Sequence, residues 1–142
     1  MIKQNIVFVE NKAGSLKRVT NMLANNDINI YGFACFDAPE FAIFRMICND
    51  PDKAEIILNQ SGYMNRITQA IVVDMKDQVG GLDELLKVLA DSNVSLDYIY
   101  TSFRRKDLTP VVILHSEDIT VTESVLKNNG FKVFTSVDEL EK

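Results

Sequence analysis

The residues best able to do chemistry in this chain sit in two short glycine-bearing runs. Glu10-Asn11-Lys12-Ala13-Gly14-Ser15-Leu16 is answered later by Lys76-Asp77-Gln78-Val79-Gly80-Gly81-Leu82, with Gly14 against Gly80 and Leu16 against Leu82 at an offset of 66. Each run follows a segment rich in β-branched residues and precedes one with helical spacing, so each predicts a strand-to-helix turn. The first turn of a helix carries N–H groups that lack intrahelical acceptors, and such a terminus suits an anion. A carboxylate would take those N–H groups, while Asn11 or Asp77, just before each turn, can offer oxygen to an ammonium group. Glycine at Gly14 and Gly80 permits a positive φ or the close approach of a ligand. It serves equally a turn that binds nothing.

Other reactive residues are sparse. His115 is the single histidine, with Ser116 and Glu117 beside it, and a catalytic imidazole needs an oriented partner that adjacency does not supply. Cys35 and Cys48 with one histidine are too few for a metal cluster, and they read as free thiols of a cytoplasmic protein. Gly32-Phe33-Ala34-Cys35-Phe36 imitates part of an RNA-recognition signature but lacks its leading basic residue. Arg104-Arg105-Lys106 is the one basic run and reads as a solvated hairpin tip. Residues 1–68 hold seven basic and seven acidic side chains, and residues 69–142 hold eight and thirteen, so the second half carries the whole net charge of −5. An acidic surface repels phosphate, which argues against nucleic acid or an anionic membrane as partner. No apolar stretch approaches the ~20 residues of a membrane span, and the N-terminus reads as a strand, without a signal-peptide pattern. With no nucleophile, acid–base pair, metal set or cofactor motif in view, the chain reads as a binding protein, not an enzyme.

The elements that must hold the two turns repeat with them. Residues 2–9 read as a strand, then Leu16, Val19, Met22 and Leu23 recur at helical spacing until Asn25-Asn26-Asp27. Ile28–Phe36 and Phe41–Cys48 form a predicted hairpin across Asp37-Ala38-Pro39. Asp50-Pro51-Asp52 starts a helix that Ser61-Gly62 stops, and Tyr63–Ile67 is a closing strand. The second half follows suit: a strand at 70–75, a helix marked by Leu82, Leu85, Leu86 and Leu89, strands at 94–103 and 109–115, a helix at 118–129, and a closing strand at 131–135. The offset changes to 68 after the hairpin, with Asp50 against Asp118, Leu58 against Leu126 and Gly62 against Gly130. The fold class is therefore α+β: two ferredoxin-like βαββαβ units, residues 1–68 and 69–142, each with its helices on one face of an antiparallel sheet. Strict alternation puts Tyr31 and Phe33 on one face with Asn29 and Cys35, opposite Ile28 and Ile30.

A βαββαβ unit with Asn-Lys-Ala-Gly-Ser-Leu after its first strand and Asp27-Ile28-Asn29-Ile30 opening its second resembles the ACT domain. The second copy matches through Val79-Gly80-Gly81-Leu82 and Asn93-Val94-Ser95-Leu96. The whole chain looks like the small proteins built from two ACT domains and nothing else. The family binds amino acids and regulates metabolic enzymes. In paired ACT domains second strands lie at sheet edges and join into one eight-stranded sheet, with ligand between a glycine loop and a second strand. The resemblance thus implies one ligand set of Asn11, Lys12, Ala13, Gly14, Ser15 and Leu16 with Asn29, Ile30 and Tyr31. It implies another of Asp77, Gln78, Val79, Gly80, Gly81 and Leu82 with Ser95 and Leu96. Neither loop carries the proline found in many ACT loops. The expected function is a free-amino-acid sensor, forming a homodimer and modulating a metabolic enzyme. The alternative is a regulatory subunit that senses nothing, like the ACT-containing small subunit of acetolactate synthase.

Overall fold

The computed structural model describes every residue, Met1–Lys142. Its elements in chain order are β1 (Ile2–Glu10), α1 (Ser15–Asn25), β2 (Ile30–Asp37), β3 (Phe41–Cys48), α2 (Pro51–Gln60), β4 (Asn65–Asp74), α3 (Gly81–Asp91), β5 (Leu96–Phe103), β6 (Pro110–Ser116), α4 (Ile119–Asn128) and α5 (Asp138–Glu141). The chain divides into two compact units, Lys3–Thr68 and Gln69–Lys142, the latter with Met1–Ile2. No helix is long and apolar enough to cross a membrane.

In the unit Lys3–Thr68 the strand order is β2-β3-β1, followed by the first residues of β4. Register places Val7 opposite Phe44, and both enter a core with Met46 and Cys48. Against these strands α1 buries Val19 and Leu23, and α2 buries Ala54 and Leu58. Each pair is spaced four residues apart, which keeps it on one helix face. Asp50 starts α2 by accepting the Lys53 N–H at 3.1 Å, and Pro51 fits the first helical position. In the unit that begins at Gln69, the order is β4-β6-β5. Ile71 faces Leu114 and Val73 faces Val112, covered by Leu85 and Leu89 of α3 and Leu126 of α4. Asp118 caps α4 through the Val121 N–H at 3.3 Å, as Asp50 caps α2.

The eight-stranded sheet expected from joined edges is not found. There are six strands, with β2 and β5 at the two ends of the order. Two expected strands are one: no glycine or proline interrupts residues 63–75, so the predicted segments at 63–67 and 70–75 run together as β4. The last expected strand, 131–135, shrinks to a single bridge between Val73 and Val133. The Asp74 N–H donates to Lys132 O at 3.0 Å and the Phe134 N–H to Val72 O at 2.8 Å, after which the chain turns into α5.

A second correction concerns β2. Its register with β3 slips between Ile30 and Gly32, so Tyr31 is an extra residue. A β-bulge of this kind reverses the alternation beyond it. Phe33 therefore opposes Met46 and shares the face of Ile30, where it was expected on the opposite one. Its ring lies 6.1 Å from that of Phe44. Tyr31 is 3% exposed and Phe33 62%. β5 carries the same slip between Leu96 and Tyr98, which makes Asp97 the extra residue.

Candidate functional site

Both glycine runs form the strand-to-helix turns expected of them. Gly14 (φ 82°, ψ −5°) and Gly80 (φ 85°, ψ 0°) are left-handed N-caps of α1 and α3, without a side-chain cap. The Ser15 N–H donates to Lys12 O at 3.2 Å, and the Arg18 N–H to Gly14 O at 3.0 Å. Helix geometry leaves the N–H groups of Leu16 and Lys17 without an intrahelical acceptor. In the second turn the Gln78 N–H returns to Lys76 O at 2.9 Å, the Gly81 N–H to Gln78 O at 3.0 Å and the Glu84 N–H to Gly80 O at 2.9 Å.

The two helix starts differ in charge. The first turn of α1 has no acidic residue, and Lys12, Lys17 and Arg18 lie within four positions of Gly14. Arg18 Nη2 donates to Ser15 Oγ at 3.2 Å, and its guanidinium approaches to 3.9 Å of where a Cβ on Gly14 would be. The first turn of α3 instead carries Asp83 and Glu84, with Glu84 paired to Lys76 at 3.0 Å. A helix N-terminus favours negative charge, and at α3 two carboxylates already supply it.

The expected ligand residues fall into several places. Asn11 donates to Asp37 Oδ1 at 3.0 Å and Ala38 O at 3.3 Å, tying its loop to the β2–β3 hairpin. Lys12 pairs with Glu10 at 3.1 Å, and Ala13 and Gly14 are exposed beside it. Ser15 is buried and opens on a cleft of about 360 Å³ with Glu10, Arg18 and Gly62. Leu16 and Ile30 meet in an apolar groove of about 360 Å³, completed by Lys17, Thr20, Phe33 and Phe44. Asn29 donates its N–H to Asn49 Oδ1 at 2.9 Å, and Tyr31 is buried away from that groove. In the second set Asp77, Gln78, Gly80, Gly81 and Leu82 share a depression of about 430 Å³, while Val79 stands fully in solvent. Ser95 lines a different, polar groove, and Leu96 packs on the core.

Sequence reasoning did not single out Arg18, and it placed Phe33 on the opposite face of its strand. Arg18 was detectable as the residue three after Ser15, one helical turn on; Phe33 was hidden by the bulge. It also missed the partner of His115, whose Nδ1 lies 2.8 Å from Asp97 Oδ2, with the ring stacked 5.4 Å from Tyr98. The neighbouring Ser116 hydroxyl is paired with that of Thr122 at 2.6 Å. No group of three potential ligand side chains could hold a metal ion. Both cysteines are free thiols; burial raises that of Cys48 to about 11, which leaves it protonated and unreactive.

A family model described as an ACT domain pair matches residues 1–139. No curated protein sequence matches the chain. Among solved structures, a protein from Bacteroides thetaiotaomicron is 27% identical, with a TM-score of 0.89 over 99% of this chain and 96% of its own. The regulatory subunit of aspartate kinase from Thermus thermophilus, in its ligand-free form, is 13% identical with a TM-score of 0.60, over 90% and 91% of the two chains. Aspartate kinase from Clostridium acetobutylicum is 14% identical with a TM-score of 0.51, over 89% of this chain and 32% of the kinase. The last two share the fold.

Proposed function

The chain belongs to the ACT domain pair family, and on that footing we propose that it binds a free amino acid and regulates a metabolic enzyme. The observation that carries this reading is the start of α1. There a left-handed glycine precedes free N–H groups, with no carboxylate in the first turn and with Lys17 and Arg18 close by. The ligand carboxylate takes the Leu16 and Lys17 N–H groups, and the apolar groove of Leu16, Ile30, Phe33 and Phe44 receives its side chain. The second turn is the weaker of the two for an anion, because Asp83 and Glu84 already occupy its field. The outer strand β2, at the end of the strand order and beside that groove, is where a second copy would join to form the homodimer. An enzyme partner is suggested by the Thermus protein of like fold, itself a regulatory subunit.

The test is a thermal-shift screen against the common amino acids at millimolar concentration. A ligand at a hundred times its dissociation constant adds about 2.7 kcal/mol of stability. Gly14→Asp sets a carboxylate against the ligand's own and should weaken binding at least about tenfold, or 1.4 kcal/mol. Aspartate tolerates the left-handed region better than most residues, so the variant should fold, as circular dichroism would show. Gly80→Asp should change affinity less. Undiminished affinity in folded Gly14→Asp would rule out the first turn. No stabilisation by any amino acid would replace sensing with the partner-dependent subunit.

A further inference from the structure

The unit that begins at Gln69 holds a cleft of about 430 Å³, large enough for a small metabolite. It is walled by the end of β4, the start of β6 and the turn after α4. Asp74 lies in it with one oxygen, Oδ1, sealed from solvent and without a hydrogen bond. The other oxygen is 3.7 Å from Arg104 Nη1, too long for a hydrogen bond. Burial raises the Asp74 carboxyl above its ordinary value, against the pull of Arg104 and Lys132. Arg104 is held in place: its Nε donates to Thr109 Oγ1 at 2.7 Å, Nη2 lies 3.3 Å from Asp107, and the guanidinium sits 5.8 Å from the Phe134 ring. Lys132 and Lys76 also line the cleft.

The internal repeat supplies a control for these charges. The corresponding cleft of the other unit is lined by Phe8, Gly62, Tyr63 and Met64. By the offsets of 66 and 68 these match Asp74, Gly130, Phe131 and Lys132. The fold is thus complete with Phe8 and Met64 in these positions, and does not require Asp74 or Lys132. An incompletely paired, partly buried carboxylate costs stability. Departures of this kind, where packing does not ask for them, mark functional sites.

The geometry points to a small-molecule site in this cleft for a zwitterion of amino-acid size, with its ammonium at the exposed part of the Asp74 carboxylate and its carboxylate toward Arg104 and Lys132. A simple cation would meet Arg104, Lys132 and Lys76, and a simple anion would meet Asp74, Asp77 and Glu84. A ligand carrying both charges suits a cleft lined by both signs, in which Lys76 is paired with Glu84 at 3.0 Å and Lys132 with Glu139 at 3.4 Å. Side chains make this site, whereas backbone N–H groups make the one at Gly14, and neither depends on the other.

The experiment is a titration of the 15N-labelled full chain, followed by NMR, with the common amino acids one at a time and with acetate and methylammonium as half-ligands. At least one amino acid should shift the amides of Asp74, Thr109, Gly130 and Lys132, and neither half-ligand should do so at equal concentration. Asp74→Phe, which installs the residue of the other copy, and the near-isosteric Asp74→Asn should each weaken the response at least tenfold. If Asp74→Phe does not fold, Asp74→Asn decides. Silence of those amides toward every amino acid, an equal response to a half-ligand, or an undiminished response in Asp74→Asn would overturn the assignment. The amides of Ser15, Leu16 and Lys17 report separately on the first glycine turn, so failure at one place is distinguishable from failure at the other.

Discussion

Gly80 and Gly81 adjoin in the chain and are glycines for different reasons. Gly80 has φ +85° with open space where a Cβ would stand, so only its backbone conformation calls for glycine. At Gly81 a Cβ would stand 2.1 Å from the Lys76 carbonyl oxygen, which is backbone and cannot step aside. Gly80→Ala should cost roughly 1–2 kcal/mol, the price of the left-handed region for a residue with a Cβ. Gly81→Ala should cost more, about 3 kcal/mol, as an overpacked site that must move the loop. Urea unfolding of the two variants checks the order, and a smaller loss for Gly81→Ala would contradict the described contact. The sequence displayed both glycines but not this division of labour. The partner of Gly81 in the first copy is Ser15, which carries a buried side chain; both turns close alike, on Lys12 O and Gln78 O, and the second also has the Gln78 N–H on Lys76 O, the carbonyl that faces Gly81. Similar sequences thus build turns with different steric demands, a difference visible only when the atoms are placed.

At the scale of elements, local pattern carried the reading as far as pattern can. The helices were legible because Val19 and Leu23, or Leu85 and Leu89, sit four apart and face a core, and because Asp50 and Asp118 are good caps. The bulge in β2 was not legible, because an extra strand residue leaves composition and spacing unchanged while reversing the faces beyond it. Its consequence is measurable. Tyr31→Ala should cost about 3–5 kcal/mol, as a buried aromatic, and Phe33→Ala about 1 kcal/mol or less, as a rim residue. Alternation without the bulge would give Tyr31 and Phe33 like environments and comparable losses, so equal losses in chemical denaturation would count against the slipped register. The merged β4 was missed for a related reason. Thr68 suits a strand and Gln69 does not break one, but a pair of residues on its own does not decide whether two short strands stay separate.

At the scale of the whole molecule, the tandem repeat and the topology of each copy were open to a reader of the sequence, and they lead to the ACT domain pair. The residues expected to bind ligand are dispersed by tertiary placement, which a set named along the chain does not reveal: Leu16 and Ile30 share a groove, while Ser15 and Ser95 face others. One carboxyl of the acidic second half ties stability to pH. Glu139 accepts the Thr135 N–H at 2.9 Å and its hydroxyl at 3.0 Å, and that backbone bond, the larger cause, holds its carboxyl below the ordinary value. A carboxyl depressed on folding stabilises above its unfolded value of about 4.3, and the gain disappears as pH falls through the folded value. Glu139→Gln should therefore be less stable than the parent near neutral pH, with the gap closing in acid. A gap that stays constant across that range would assign the loss to packing instead. Finally, the register slip in β2 recurs in β5, and the left-handed Asp27 recurs as Asn93, at the same offset of 66 that relates the glycine turns. Irregularities are poor candidates for independent invention at matched places. The bulge therefore belongs to the repeated unit itself: both copies keep the same kink at the outer strand while they differ in charge.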